Sequence, residues 1–330
     1  MIEILPDIYC IRTPMPGNGL DFVNSYLIKE QGGGILVDTG WKSEEALRSL
    51  AAQLSDTGVC VADLRQIVIT HAHPDHYGLV ELLSYWTSGE LVIHERENSI
   101  LRMRATNYEE MVEQMADWLQ SHDMPGDPRR LFERSALSAL GMLPVEMPVR
   151  IVYGGEKIAV GDYQFEVIWT PGHSPGHICL YEPLKRVLIT GDHVLPDTTP
   201  NVSMYVGTMR NPLQDYIKAL NHIARLDVEL VLPAHGEVFG DLGGRVDEIL
   251  QHHEMRLEAI QAALNGESKT ARQVAESIPW TDAALCWQDL NTLQKRMALT
   301  ETVSHLELLI TQGRAMRNQQ GGLFWYRLIG

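Results

Sequence analysis

Thr70-His71-Ala72-His73-Pro74-Asp75-His76-Tyr77-Gly78 places three histidines and one aspartate within six positions. The apolar run 64–69 precedes this stretch and residues 79–86 read as a helix, so a strand feeds a loop and the loop feeds a helix. In an extended segment alternate side chains share a side, which lets His71 and His73 converge on one point. Pro74 bends the chain, so Asp75 and His76 converge on a second point. A packed core does not accept four polar groups side by side without partners. Two neighbouring metal ions are the simplest partners.

Working outward, the segments 8–11, 24–29 and 34–38 read as short strands separated by Gly and Pro turns, a pattern that predicts antiparallel pairing. Ile35-Leu36-Val37-Asp38-Thr39-Gly40 is a buried strand ending in a carboxylate. An amphipathic helix over 43–55 follows, opened by Ser43 with Glu44 and Glu45 in its first turn. Asp38 has two readings: it caps its own turn, or it holds a ligand imidazole from behind.

Beyond the cluster come a strand at 91–94 and a helical insertion over about 95–145, in which Met103, Met111, Met115, Trp118, Met124 and Met142 recur. This insertion reads either as a lid over an apolar substrate pocket or as a helical pair packed on the main body. Strands return at 150–153, 156–158 and 163–170, and Thr170-Pro171-Gly172-His173 ends the last of them by presenting His173. A strand at 186–190 ends in Gly191-Asp192-His193, and one at 230–232, after a helix over 211–226, ends in Pro233-Ala234-His235-Gly236. Each time an apolar strand delivers a ligand-type side chain at its end, which is where sheet proteins build sites.

Counting candidates gives His71, His73 and His173 for one metal and Asp75, His76 and His235 for a second. Asp192 is able to bridge them, because a carboxylate has two oxygens. Nitrogen and oxygen donors without thiolate suit zinc first, with iron or manganese as substitutes. Cys10, Cys60, Cys179 and Cys286 are scattered and form no disulfide framework or thiolate site. A bound metal lowers the pKa of its water from about 15.7 to about 7, which makes hydrolysis the natural chemistry. His177 and His193 lie beside ligands and either donate to ligand carboxylates or stay structural. Tyr205, on the loop after Asp192, is a candidate substrate or oxyanion contact. His94, His122, His222, His252, His253 and His305 have no motif around them.

His71-X-His73-X-Asp75-His76, with Asp38-Thr39-Gly40 before it and His173, Asp192 and His235 after it in that order, resembles the metallo-β-lactamase-fold hydrolase superfamily over about the first three quarters of the chain. The fold class this implies is α+β: a four-layer αβ/βα sandwich, two mixed sheets face to face with helices outside and a dinuclear site at one edge. The resemblance also implies that Asp75 ligates the second metal and handles protons, that a metal-bridging hydroxide attacks a carbonyl or phosphoryl centre, and that Asp38 supports a ligand from behind. Asp192 stands where the true β-lactamases of the main zinc class carry cysteine, so antibiotic hydrolysis is not expected. The glyoxalase II branch is similar at every metal position, implying a hydroxyacylglutathione-hydrolase-like thioesterase. Residues 195–205 lack the glycine-rich, lysine-bearing loop that glutathione recognition in that branch implies.

The tail reads as a helix over 246–264, a short helix over 271–277 opened by Thr270, another starting at Asp282, a third over 302–311, and a hairpin of strands 314–318 and 323–328 around Gly321-Gly322. Helices followed by a hairpin resemble a winged-helix module, which divides the chain into a catalytic domain over 1–249 and a winged-helix-like domain over 250–330. Lys269, Lys295, Arg256, Arg272, Arg296, Arg314, Arg317 and Arg327 are matched in it by Glu254, Glu258, Glu267, Glu276, Asp282, Asp289, Glu301 and Glu307. A nucleic-acid-binding module would be basic, so packing on the catalytic domain, shaping the pocket or joining subunits in a homodimer fits better.

The whole chain of 330 residues carries a formal charge of -16 and an estimated pI of about 5.2. Such a surface repels nucleic acid and anionic lipid at long range and favours a small-molecule substrate. The first residues, Met1-Ile2-Glu3-Ile4-Leu5-Pro6-Asp7, lack a basic n-region and an apolar h-region, and no stretch approaches bilayer length, so a cytoplasmic protein is expected. The expected activity is dinuclear metal-dependent hydrolysis of a small acyl substrate, a thioester or a lactone. The alternatives on the same scaffold are a phosphodiesterase or ribonuclease, and a mononuclear iron oxidoreductase that would not need Asp75, His76 and His235 together.

Overall fold

The structure, a computed structural model, describes residues 1–15, 21–130, 144–204, 206, 211–280 and 285–329. Seven strands form the first sheet in chain order: β1 (Ile2–Leu5), β2 (Ile8–Pro14), β3 (Phe22–Glu30), β4 (Gly33–Val37), β5 (Leu64–Val68), β6 (Glu90–His94) and β7 (Val149–Val152). The first four pair antiparallel, as short turns between consecutive strands require, and β4 to β7 run parallel through helical crossovers. The second sheet has the order β12-β11-β10-β9-β8, from β8 (Lys157–Val160), β9 (Tyr163–Trp169), β10 (Ile178–Glu182), β11 (Val187–Gly191) and β12 (Leu230–Pro233), with β11 and β12 parallel.

Alternation of side chains along each strand sorts the apolar residues into separate cores. Ile35 and Val37 of β4, with Tyr26, Ile28, Val68 and Val92, face Phe165, Val167, Leu180 and Ile189 of the second sheet. Leu36, between Ile35 and Val37, points the other way with Leu27, Ile67 and Leu91, onto Leu50 and Leu54 of α1 (Glu44–Asp56) and Leu83 of α3 (Val80–Ser84). On the far side of the second sheet, Cys179, Leu188 and Val231 pack on Leu213, Tyr216 and Leu220 of α6 (Pro212–Ile223). Helix, sheet, sheet, helix is the resulting order, an αβ/βα sandwich. Strands buried on both faces read without alternation, as Ile67, Val68 and Ile69 do, while Arg65 and Gln66 mark the less covered start of β5.

The C-terminal elements are α7 (Leu242–Leu264), α8 (Ala271–Glu276), α9 (Thr292–Thr311) and a hairpin of β13 (Ala315–Gln320) and β14 (Leu323–Leu328). Gly321 and Gly322, with φ of 60° and 81°, make its two-residue turn. Leu257, Leu299, Leu309 and Tyr326 of this part lie in the same apolar cluster as Leu188 and Val231 of the second sheet.

Two local readings need correction. The helical turn α2 (Pro74–Tyr77) begins at Pro74, so Asp75 and His76 sit on a helix rather than in a loop before residue 79. Proline at the first helical position explains this, since its fixed φ suits a helix start and it has no N–H to leave unpaired. The last helix starts at Thr292, ten residues before 302, because Asn291 and Gln294 form a reciprocal capping box. Of the insertion, α4 (Glu95–Thr106) and α5 (Tyr108–Ser121) are described, and Leu119 and Met124 pack into the cluster that holds the hairpin. Met142 and Asp282 lie outside the described residues. Among the described residues no helix is long and apolar enough to cross a membrane.

Gly172, in the turn after β9, has φ of +142°, and a Cβ there would meet Tyr216 of α6, with its Cα 2.7 Å away. Gly172→Ala is expected to destabilise the protein by more than about 1 kcal/mol, read as a lowered denaturant midpoint at unchanged slope. An unchanged midpoint would show that α6 does not need this close approach.

Candidate metal centre

The C-terminal ends of β4, β5, β9, β11 and β12 meet at one edge of the sandwich. Cross-strand backbone bonds fix them there: Asp38 N donates to Val68 O at 2.9 Å, Ile178 N to Thr70 O at 2.9 Å, and Ala234 N to Gly191 O at 3.0 Å. Side chains at these ends form two groups. His71, His73, His173 and Asp192 each offer one donor atom, all within 4.8 Å of one another, and Asp75, His76 and His235 do the same. Asp192 lies between the groups. Its Oδ2 is 3.5 Å from Nε2 of both His173 and His76, and its Oδ1 is 3.5 Å from His235 Nε2. Asp75 Oδ2 faces His235 Nε2 at 3.3 Å.

Most of the imidazoles are oriented from behind through Nδ1. His76 donates to Asp38 Oδ2 at 2.8 Å and His173 to the backbone oxygen of Asn201 at 2.8 Å. Thr70 gives its hydroxyl proton to Asp38 Oδ2, so His71 Nδ1 donates to Thr70 Oγ1 at 3.2 Å. His235 Nδ1 points at Phe22 O, 3.4 Å away. At His71 and His173 the Nε2 lone pair is left facing the centre, while at His76 and His235 burial is outweighed by the carboxylates Asp192 and Asp75, which raise the rings above the usual histidine range. His73 turns Nδ1 inward, 2.8 Å from His71 Nε2 and 3.0 Å from His173 Nε2. Burial, then the neighbouring His173, pushes His73 down to about 3, and burial with His76 and His73 holds His71 well below the usual range. These rings are therefore neutral at neutral pH, with lone pairs converging on shared points. One proton cannot serve three such lone pairs, and among the described residues His76 Nε2 and Asp192 Oδ1 are buried with no hydrogen-bond partner. Nitrogen and oxygen donors in this array fit divalent cations.

Asp38 is 2 % exposed and adopts φ of 57° at the end of β4. Its Oδ1 accepts from Thr70 N at 2.8 Å, so one carboxylate holds both the cluster's backbone and the His76 ring. Among the described residues His177 makes no hydrogen bond to a ligand carboxylate. Its Nδ1 donates to Thr170 Oγ1 at 2.8 Å, leaving Nε2 to accept from the backbone N–H of Asp192 at 3.2 Å. His193 is buried at a near-perpendicular contact with Tyr216, and among the described residues neither ring nitrogen has a hydrogen-bond partner. Tyr205 lies outside the described residues.

Glu97, in α4, escaped the sequence reading. It is 2 % exposed, and its carboxylate accepts from Ala72 N at 2.8 Å, from Gly176 N at 2.6 Å and from the Ser174 hydroxyl. It thus ties the loop of His71 and His73 to the loop of His173. No local pattern marks it, since its partners are 25, 79 and 77 positions away. His94, at the helix start before it, caps α4 by accepting from Arg96 N and stacks on Trp169, with ring centroids 5.5 Å apart.

Residues 18–235 match the family described as the metallo-beta-lactamase superfamily. The chain is 24% identical over 328 residues to the Bacillus subtilis protein named probable metallo-hydrolase YqjP, covering 98% of each chain. It is 30% identical over 229 residues to the acyl-coenzyme A thioesterase MBLAC2 of Gallus gallus, covering 66% of this chain and 73% of that one. Among solved structures, the metallo-beta-lactamase family protein TTHA1429 of Thermus thermophilus superposes with a TM-score of 0.84 at 30% identity, over 99% of this chain and 100% of that one.

Glu97→Gln keeps the shape of the side chain but turns an amide N–H₂ toward donors. Depending on which oxygen is replaced, Ala72 N–H or the pair from Ser174 and Gly176 loses its acceptor. The variant is expected to lose about 1–3 kcal/mol of stability in denaturant unfolding. Wild-type stability would mean that Glu97 does not clamp the two loops.

Proposed function

The chain belongs to the metallo-beta-lactamase superfamily, and from that membership we propose that it is a metal-dependent hydrolase that opens a small acyl thioester, with a lactone as the related acyl alternative. The observation that carries this reading is Asp192, whose two oxygens face two separate donor groups. In this reading His71, His73 and His173 hold one ion and Asp75, His76 and His235 a second, with Asp192 shared. Zinc suits these donors first, and iron or manganese can take the same set. When bound, the ions supply Lewis acidity and bring the pKa of a water down to about 7.

The protein's own groups do the rest. Asp38 and Thr70 hold His76 and His71 with their Nε2 lone pairs presented, while His177 fixes the backbone of Asp192. Asp75 accepts the proton of the attacking water at its carboxylate and returns it to the departing thiolate. Water thereby adds across the acyl C–S bond, leaving a carboxylic acid and a thiol.

Similarity to an acyl-coenzyme A thioesterase supports a thioester over other acyl groups. The formal charge of -16 works against RNA as substrate, because the field of the whole surface opposes the approach of a long chain of phosphates. We read 250–330 as a winged-helix-like part that supports the catalytic part, 1–249, rather than as a nucleic-acid reader.

Zinc-loaded protein assayed against acyl-coenzyme A and hydroxyacylglutathione thioesters, lactones, phosphodiesters and RNA is expected to turn over a thioester. His73→Ala and Asp192→Ala are each expected to lose most of that activity together with bound metal. Retention of both properties by either variant sinks the proposal. RNA cleavage that vanishes in His73→Ala would replace the acyl substrate with a phosphodiester.

A further inference from the structure

His173 follows the turn after β9, and its ring orientation depends on the acceptor at its Nδ1, the backbone oxygen of Asn201 at 2.8 Å. Torsion of an imidazole about its ring bond is soft, so a fixed acceptor decides where Nε2 points. Asn201 lies in the segment 192–204, which leaves the ligand Asp192 and contains no helix or strand. A segment of that kind does not hold a carbonyl in place by itself.

Two C-terminal helices hold it. From α7, Arg245 donates through Nε to Leu195 O at 2.7 Å and through Nη2 to Thr198 O at 2.9 Å. From α9, Glu301 Oε2 accepts from Asn201 Nδ2 at 2.5 Å, the hydroxyls of Thr300 and Ser203 meet at 2.7 Å, and Thr300 O accepts from Met204 N at 3.2 Å. The Ser203 hydroxyl donates to the remaining amide atom, Asn201 Oδ1, so both ends of the Asn201 side chain are engaged. The other donor group is held from the opposite side: Asp38 at the end of β4 grips His76, and Phe22 of β3 faces His235.

We propose that Glu301 is a positioning residue for His173, acting through Asn201, so that a C-terminal helix sets one donor of the group His71, His73, His173 and Asp192. The proposal rests on the reading of that group as a metal site. Glu301 itself touches none of the four. What it controls is the backbone oxygen against which the His173 ring is aligned, and its influence therefore falls on one group and spares the group of Asp75, His76 and His235.

Titration of the full-length, metal-stripped protein with Zn²⁺ against a chromophoric chelator tests this, alongside thermal unfolding. Glu301→Ala is expected to weaken one of two bound ions by about 10–100-fold and leave the other at wild-type affinity. Asn201→Ala, which keeps the backbone oxygen but loses the gripped amide, is expected to do the same and decides the matter if Glu301→Ala does not fold. Glu301→Gln, whose Oε1 still accepts from Asn201, is expected to recover most of the affinity. Wild-type affinity for both ions in Glu301→Ala overturns the proposal. So does an equal weakening of both ions in the Ala and Gln variants with a lowered Tm, which is the mark of a merely structural residue. Wild-type protein that takes up no Zn²⁺ overturns the reading of the site itself, and the wild-type titration tells the two failures apart.

Discussion

The imidazoles of His71, His73 and His173 repel one another at the sheet edge. His73 Nδ1 lies 2.8 Å from His71 Nε2 and 3.0 Å from His173 Nε2, and two carboxylates stand close by, all of it largely out of water. Left to itself such a cluster would open, because buried polar groups without complementary partners cost free energy. The geometry must therefore be imposed from outside. Four strand ends deliver the donor side chains and a fifth, that of β4, supplies Asp38 to the ring of hydrogen bonds that keeps them from rotating away. Asp38 and Glu97 carry much of that ring, each a buried carboxylate that accepts several donors at once. A carboxylate satisfied in this way is cheap to bury and rigid. Both anchors cross-link segments distant in sequence, so the array is set by tertiary contacts rather than by any one segment.

Most of the donors were legible because they stand at the bend after a strand, and Asp75 and His76 because they follow His73 across the bend at Pro74. Where a buried run stops and a His or Asp stands at the next bend, the local sequence records both the position and the chemistry. The groups that orient the donors left no such record. Glu97 looks like one more acidic residue in the first turn of a helix, and its three donors come from loops on two different sheets. Asn201 and Glu301 are 100 residues apart. Asp38 was readable in part, because a carboxylate ending a strand is unusual enough to need an account, although its grip on Thr70 as well as His76 was not.

The start of α9 shows a different kind of failure. A capping box at Asn291 and Gln294 was present in the sequence, yet the helix behind it lacks a clear apolar stripe. Ala298, Leu299, Thr300, Thr302, Val303, Ser304, His305 and Leu306 are all buried, so the helix is enclosed on most sides. Enclosure erases the period of 3.6 that betrays a surface helix, and a polar residue such as Thr300 then reads as a break. The same enclosure explains why polar groups occur there at all. His305 Nδ1 donates to Glu301 O, its Nε2 faces His253 Nδ1 of α7 at 3.2 Å, and Thr302 donates to Ala298 O.

Enclosure of α9 also bears on how the C-terminal part relates to the rest. An appended module would have a core of its own and a wet boundary. Here one apolar cluster runs from Leu188 and Val231 of the second sheet through Tyr216 and Leu257 to Leu309 and Tyr326. Polar cross-links follow the same path, with Asp123 after α5 bound to Thr270 Oγ1 and Arg272 Nε at 2.9 Å. Sheet packing alone cannot fix residues 192–204, since they leave the sheet at Asp192. The second sheet needs cover on its outer face, the segment after Asp192 needs acceptors and donors along its length, and the C-terminal helices meet both needs from one surface. A helix that buries the back of a sheet is thereby placed to align what emerges from the end of that sheet.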